Sequence, residues 1–146
     1  MTTPGTGQLL FSFVRHWSRR AATHDASVAE RGRLVLVTEA VAALHGRGRP
    51  PTVNAIAGEI GIDQSGASRL ITSAVDAGCL TVTTGASDGR RREVSVTPAG
   101  RLVLRQAHAW QEEVFDELTA GWSEKRRRDF HTAMADLIAR SDQVGG

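Results

Sequence analysis

Apolar residues recur along this chain at two different periods, and the switch between them outlines the fold. Leu9, Leu10, Phe13, Val14 and Trp17 repeat at helical spacing and predict a first helix over residues 8–22, with Arg15, Arg19 and Arg20 off the apolar stripe. After the polar stretch THDAS, Leu34, Val37, Val41 and Leu44 predict a second helix over residues 28–45. HGRGRPP ends it, because paired glycines and prolines cannot continue a helix. Thr52 suits the cap of a third helix with Val53, Ile56, Ala57 and Ile60 on its buried side. Gly61 then supplies a sharp turn, Ile62 is expected to plug the core, and Asp63 caps a fourth helix. The expected inward face of that helix is Ala67, Leu70, Ile71, Ala74 and Val75, and Gly78 closes it.

Beyond Gly78 the period falls from three or four to two. Leu80 and Val82 alternate as one strand, Val94 and Val96 as its partner, and Asp88-Gly89 marks the turn between them. Pro98 opens a long helix to about residue 119, carrying Leu102, Val103, Gln106, Trp110, Val114, Phe115 and Leu118. TAGWS breaks it, and Ser123 caps a final helix expected to bury Phe130, Ala133, Met134, Leu137 and Ile138.

Helix, turn, helix and hairpin in that order are the outline of a winged helix-turn-helix. The expected fold is therefore mainly α with a small β wing, flanked by N- and C-terminal dimerisation helices. The expected organisation is a tail and dimerisation helix over residues 1–27, a winged DNA-binding domain over 28–97, and dimerisation helices over 98–146. The winged part can close its own core. Phe13, Trp17, Trp110, Phe115, Trp122 and Phe130 lie outside it and need partners. Terminal helices that pack on one another and on a second copy of the chain meet that need, because helix-turn-helix readers commonly pair to match a two-fold DNA site.

The polar face of the fourth helix has the chemistry to read DNA. Gln64 can contact adenine bidentately, and Arg69 can contact guanine or hold a phosphate. Ser65, Ser68 and Thr72 are short hydrogen-bonding side chains that let a helix come close to base edges. Gly66, at a cost of about 1 kcal/mol in helix propensity, suggests close backbone approach near the same end. The hairpin tip Asp88-Gly89-Arg90-Arg91-Arg92 concentrates three arginines that repel one another unless they meet phosphate or a narrow minor groove, with Asp88 placed to brace one guanidinium. Thr52, at a helix N-terminus, is a further candidate for phosphate contact through backbone amides.

Charge distribution sharpens this picture where net charge does not. The formal net charge is only +2, yet residues 64–105 hold six arginines against Asp76, Asp88 and Glu93. Residues 107–124 carry Glu112, Glu113, Asp116, Glu117 and Glu124 with no Lys or Arg. One face toward phosphate and another elsewhere fits that division. All basic residues but Lys125 are arginine, which reflects a GC-rich genome more than a binding need. The composition is that of a folded soluble chain. No apolar stretch approaches membrane-spanning length, and no basic segment followed by an apolar run opens the sequence. The lone cysteine, Cys79, allows no intrachain disulfide and fits a reducing, cytoplasmic setting.

On these residues the chain resembles the MarR family of bacterial transcription regulators over nearly its whole length. TVNAIAGEIGI resembles the first helix of that family's reading unit, and SGASRLITSAVDAGCL its recognition helix and entry to the wing. SDGRRREVSVTPAGR resembles its most specific signature, an Asp-x-Arg wing tip followed by an alternating strand and Thr-Pro-x-Gly. The resemblance implies a homodimer on an inverted-repeat operator of double-stranded DNA, often as a repressor, released in many members by a small aromatic or phenolic effector. It also implies that Ser65, Ser68, Arg69 and Thr72 meet the major groove, while Arg90 enters the minor groove braced by Asp88. Two departures stand out. Val82 occupies a strand position where the family often has a basic residue, and the first helix lacks the cysteine of oxidant-sensing members.

Two other function classes fit the sequence less well. Catalysis finds no support: His16, His24, His45, His108 and His131 share no short metal-binding spacing, and there is no phosphate-binding glycine loop or nucleophile elbow. No cofactor and no membrane partner is expected. A winged module without DNA binding, serving as a dimerisation or ligand-binding platform, is the alternative, and the arginine tip argues against it.

Overall fold

A computed structural model describes residues 2–21, 26–84 and 92–144. Its elements are α1 (Thr6–Ala21), α2 (Ala26–Gly46), α3 (Val53–Ile60), α4 (Gln64–Asp76), β1 (Leu80–Thr84), β2 (Arg92–Val96), α5 (Pro98–Leu118) and α6 (Glu124–Ser141). Each expected element is present, with ends shifted by one or two residues. The chain divides into two compact units, Met1–Ala107 and His108–Gly146.

Local chemistry sets the boundaries in the first unit. Gln8 Oε1 accepts from Gly5 N at 2.8 Å, reaching back over the start of α1 as in a capping box. Thr52 Oγ1 accepts from Ala55 N at 3.2 Å and caps α3. Gly61, left-handed at φ 82, ends α3 by donating to Ala57 O at 2.8 Å. Asp63 Oδ1 accepts from Gly66 N at 2.8 Å and starts α4 two residues after that turn. At the far end Gly78, at φ 83, donates to Val75 O while Cys79 N donates to Ala74 O, both at 2.9 Å. That pair of bonds is a Schellman ending.

The core of this unit gathers Val37, Ala40, Val41 and Leu44 of α2, Ile56 of α3, Ile71 and Ala74 of α4, Leu80 of β1 and Val94 of β2. The strands pair antiparallel with Leu80 opposite Val96 and Val82 opposite Val94. Val94 N points away from β1 and donates to Pro51 O at 2.9 Å, so β2 lies between β1 and the segment leading into α3. Arg47 and Glu59 form a two-point ion pair between the end of α2 and α3, and Arg31 Nη2 donates to Gln106 Oε1 at 2.7 Å.

Three expected core positions are not core. Ile62 is 38% exposed and leans over the first turn of α4 instead of entering the interior. Val75 and Val82 are similarly open, 37% and 40%. Val75 lies in the last turn of α4, and Val82 lies on the outer strand, where the apolar face runs past the edge of what α2 covers. Most of the α1 stripe is likewise uncovered, with Leu9, Phe13 and Val14 about half exposed.

In the second unit, Gly121 turns the chain at φ 86 and Ser123 Oγ accepts from Arg126 N at 3.1 Å to cap α6. Phe115 stacks on Phe130 at 5.8 Å between centroids, and Trp122 meets Phe130 edge-on at 5.7 Å. The expected burial along α6 is absent: no residue of that helix is buried, and Leu137 and Ile138 lie open to solvent. Beyond Phe130, its apolar stripe is largely open among the described residues of this unit.

Candidate nucleic-acid interface

The fourth helix sorts its residues cleanly. Ala67, Ile71 and Ala74 are buried, while Gln64, Ser65, Ser68, Arg69 and Thr72 are all exposed. Ser65, Ser68, Arg69 and Thr72 follow the three- and four-residue spacing that stacks side chains on one helix face. Gln64 flanks them one turn below Ser68. Asp63, Gln64, Ser65, Ser68 and Arg69 together line a shallow, open depression at the N-terminal end of the helix.

Hydrogen bonding within this face decides which groups remain available. Ser65 Oγ donates to Asp63 Oδ2 at 3.4 Å, so the capping carboxylate also holds this hydroxyl. Thr72 Oγ1 donates back to Ser68 O at 2.9 Å and offers its lone pairs outward. The Gln64 amide and the Arg69 guanidinium have no partner among the described residues. They are the two side chains long enough to reach a base edge with two hydrogen bonds each.

Gly66 packs beside the cap of α4. A Cβ there would sit 2.6 Å from Asp63 Oδ1 and 3.6 Å from Ile62 Cδ1. The nearest of these atoms is the end of the capping side chain, which an alanine at position 66 would have to displace.

Of the wing arginines, Arg92 is exposed at the start of β2, opposite Thr84. Asp88, Arg90 and Arg91 lie outside the described residues. Thr52 does not offer its own amide as expected, because Thr52 N donates to Pro50 O at 2.9 Å.

Each basic side chain at the start of α6 has a partner within its own unit. Lys125 pairs with Asp129 at 2.6 Å, Arg127 with Asp116 at 2.8 Å, and Arg128 approaches Glu124 at 3.8 Å. The Arg126 guanidinium lies 4.0 Å over the Trp122 ring. Cys79 is buried. Among the described residues no three His, Cys, Asp or Glu side chains come together as a metal site, and no helix is long and apolar enough to cross a membrane.

The architecture has close counterparts among solved structures. A MarR family transcriptional regulator from Silicibacter pomeroyi superposes with a TM-score of 0.69 at 20% identity, over 93% of this chain and 89% of that one. The fold is that of the MarR regulators. The MepR–DNA complex of S. aureus shares this MarR fold with a TM-score of 0.59 at 16% identity, over 90% of this chain and 96% of MepR. BpsR of Bordetella bronchiseptica, whose DNA binding is regulated by 6-hydroxynicotinic acid, matches with a TM-score of 0.55 at 18% identity, over 90% of this chain and 98% of BpsR. No protein-family model matches the sequence, and no curated protein does.

Proposed function

We propose that this chain is a MarR-family transcription regulator that binds an inverted-repeat site on double-stranded DNA as a homodimer. The observation that carries the reading is the face of α4. Five exposed polar side chains, Gln64, Ser65, Ser68, Arg69 and Thr72, stand on a doubly capped helix behind a glycine turn. In this fold, that helix would lie in the major groove. Gln64 and Arg69 would read base edges, and Ser65, Ser68 and Thr72 would line the close approach. Arg90, Arg91 and Arg92 would meet the backbone or minor groove from the wing, with Asp88 bracing Arg90.

Dimerisation is supported by apolar surface that one chain leaves open. Leu9, Phe13 and Val14 of α1 and Leu137 and Ile138 of α6 are about half exposed or more. Isolated stripes of this kind on helices at both ends of a chain mark a protein contact more readily than a free surface. Residues 28–97 would then form the DNA-binding domain, with the helices on either side forming the dimer. Repression relieved by a small aromatic or phenolic effector completes the reading. Its support is the MarR fold and the aromatic acid that regulates BpsR.

Fluorescence anisotropy with duplex DNA from upstream of the protein's own gene, beside a scrambled duplex at physiological salt, tests the proposal. A preference of about a thousandfold or more is expected of a specific reader. Equal, weak binding to both, and to every duplex recovered from a random pool, would leave a dimerisation or ligand-binding platform as the function.

A further inference from the structure

The start of α5 is tied to the end of α4 through a single side chain. Thr97 Oγ1 donates to Gly78 O at 2.5 Å, where the chain leaves α4, and accepts from Gly100 N at 3.0 Å, where α5 begins. Thr97 N donates to the next carbonyl, Cys79 O, at 3.0 Å. The third point of contact is steric: a Cβ on Gly100 would run into that same Cys79 carbonyl, with Val96 Cγ1 also within 2.9 Å. A hydroxyl has one donor and two acceptor sites. Here it serves backbone groups of two elements far apart in sequence.

A backbone bond alone would act as a hinge. Two bonds from one residue to successive carbonyls, closed by the contact at Gly100, fix an angle as well as a distance. The elements so fixed are α4, β1 and the start of α5. Gln64, Ser65, Ser68 and Arg69 lie at the opposite end of α4 from this clamp. At 1.5 Å per residue the helix is roughly 20 Å long, so a tilt of about 5° at Gly78 moves its N-terminal end by about 1.7 Å. A base-edge hydrogen bond does not survive such a shift, whereas a long-range attraction to phosphate does.

We infer that Thr97 is a positioning residue for sequence reading: its hydroxyl sets the angle of α4, and so the register of Gln64 and Arg69 on base edges, without touching DNA. The inference rests on the DNA-reading role proposed for α4. Its distinguishing mark is loss of discrimination ahead of loss of affinity.

The test compares wild type, Thr97→Val and Thr97→Ser on two probes, a duplex selected from a random-sequence pool by the wild-type protein and a scrambled duplex of the same composition. Circular dichroism first establishes that each variant is folded at the assay temperature, and Thr97→Ala replaces Thr97→Val if the latter is not. Thr97→Val is expected to lower the ratio of the two affinities at least tenfold, with binding to the scrambled duplex changed less than threefold. Thr97→Ser is expected to keep the ratio within threefold of wild type. A merely structural residue would weaken both duplexes alike, so an unchanged ratio in Thr97→Val overturns the inference, as does an equal fall in Thr97→Ser. If the wild type itself selects no duplex, the reading role of α4 fails first and the inference with it.

Discussion

Two glycine-to-alanine substitutions should move stability in opposite directions, although both glycines lie in helices. Gly100 stands in the first turn of α5 and is buried. An alanine Cβ there meets the Cys79 carbonyl group and comes within 2.9 Å of Val96 Cγ1. Neither neighbour is free to withdraw. Cys79 is held by its own N–H on Ala74 O at 2.9 Å and by Thr97 N on its carbonyl at 3.0 Å. Relief therefore requires the start of α5 to lift, at an overpacking cost of about 1–3 kcal/mol, and with it a hydrogen bond worth about 0.5–1.5 kcal/mol. The helix-propensity gain of about 1 kcal/mol offsets only part of this. Gly100→Ala should lose roughly 1–3 kcal/mol. Gly58 is exposed in α3 with nothing within 4 Å of an added Cβ, so Gly58→Ala should gain up to about 1 kcal/mol. Thermal melts at one fixed protein concentration would separate the two, since 1 kcal/mol corresponds to about 2–4 °C for a chain near this size. A Gly100→Ala protein as stable as wild type would refute the account of this junction.

A related cycle probes the start of α4. Asp63→Ala should cost about 1 kcal/mol through loss of the cap, whereas Gly66→Ala should be stabilising only in that background, where the 2.6 Å conflict with Asp63 Oδ1 is gone. Equal effects in both backgrounds by urea denaturation would show that the carboxylate swings aside freely. Arg69→Ala should weaken binding to the selected duplex by about 1–3 kcal/mol while leaving the melting temperature unchanged. A variant that binds as tightly as wild type would remove Arg69 from the interface. Ile138 is 67% exposed in the single chain, so Ile138→Asp should leave folding within about 0.5 kcal/mol while raising dimer dissociation at least tenfold by light scattering. A wild-type protein that scatters as a monomer at micromolar concentration would contradict the dimer outright.

Much of this fold was legible because its boundaries are set by short-range chemistry. Thr52, Asp63 and Ser123 each cap the helix that follows them, and Gly61, Gly78 and Gly121 each take the left-handed conformation that ends or turns a segment. Such signals depend on neighbours within four residues, so one linear pattern carries them. The exposed face of α4 was legible for the same reason: once Ala67, Ile71 and Ala74 are assigned inward, helical geometry leaves Ser65, Ser68, Arg69 and Thr72 outward.

What the pattern misassigned depends on where an apolar face stops meeting other atoms. Ile62, Val75 and Val82 have the spacing of core residues, but they sit in the turn before α4, in the last turn of α4 and on the outer strand, where each is left more than a third exposed. Periodicity gives a residue's direction and says nothing of what stands opposite. The stripe on α6 is the extreme case: Phe130 meets Phe115 and Trp122, but Leu137 and Ile138 further along lie open. Gly66 shows the converse. Its place on a reading helix suggests close approach to DNA, but no pattern in the sequence reveals how tightly the Asp63 carboxylate sits against it. Thr97 combines both lessons. Its cap on Gly100 is a local signal within Thr-Pro-x-Gly, but its bond to Gly78 spans the entire wing and no local pattern encodes it. The longer bond is the one that bears on reading, because a cap holds one helix together and only a tertiary contact can aim it.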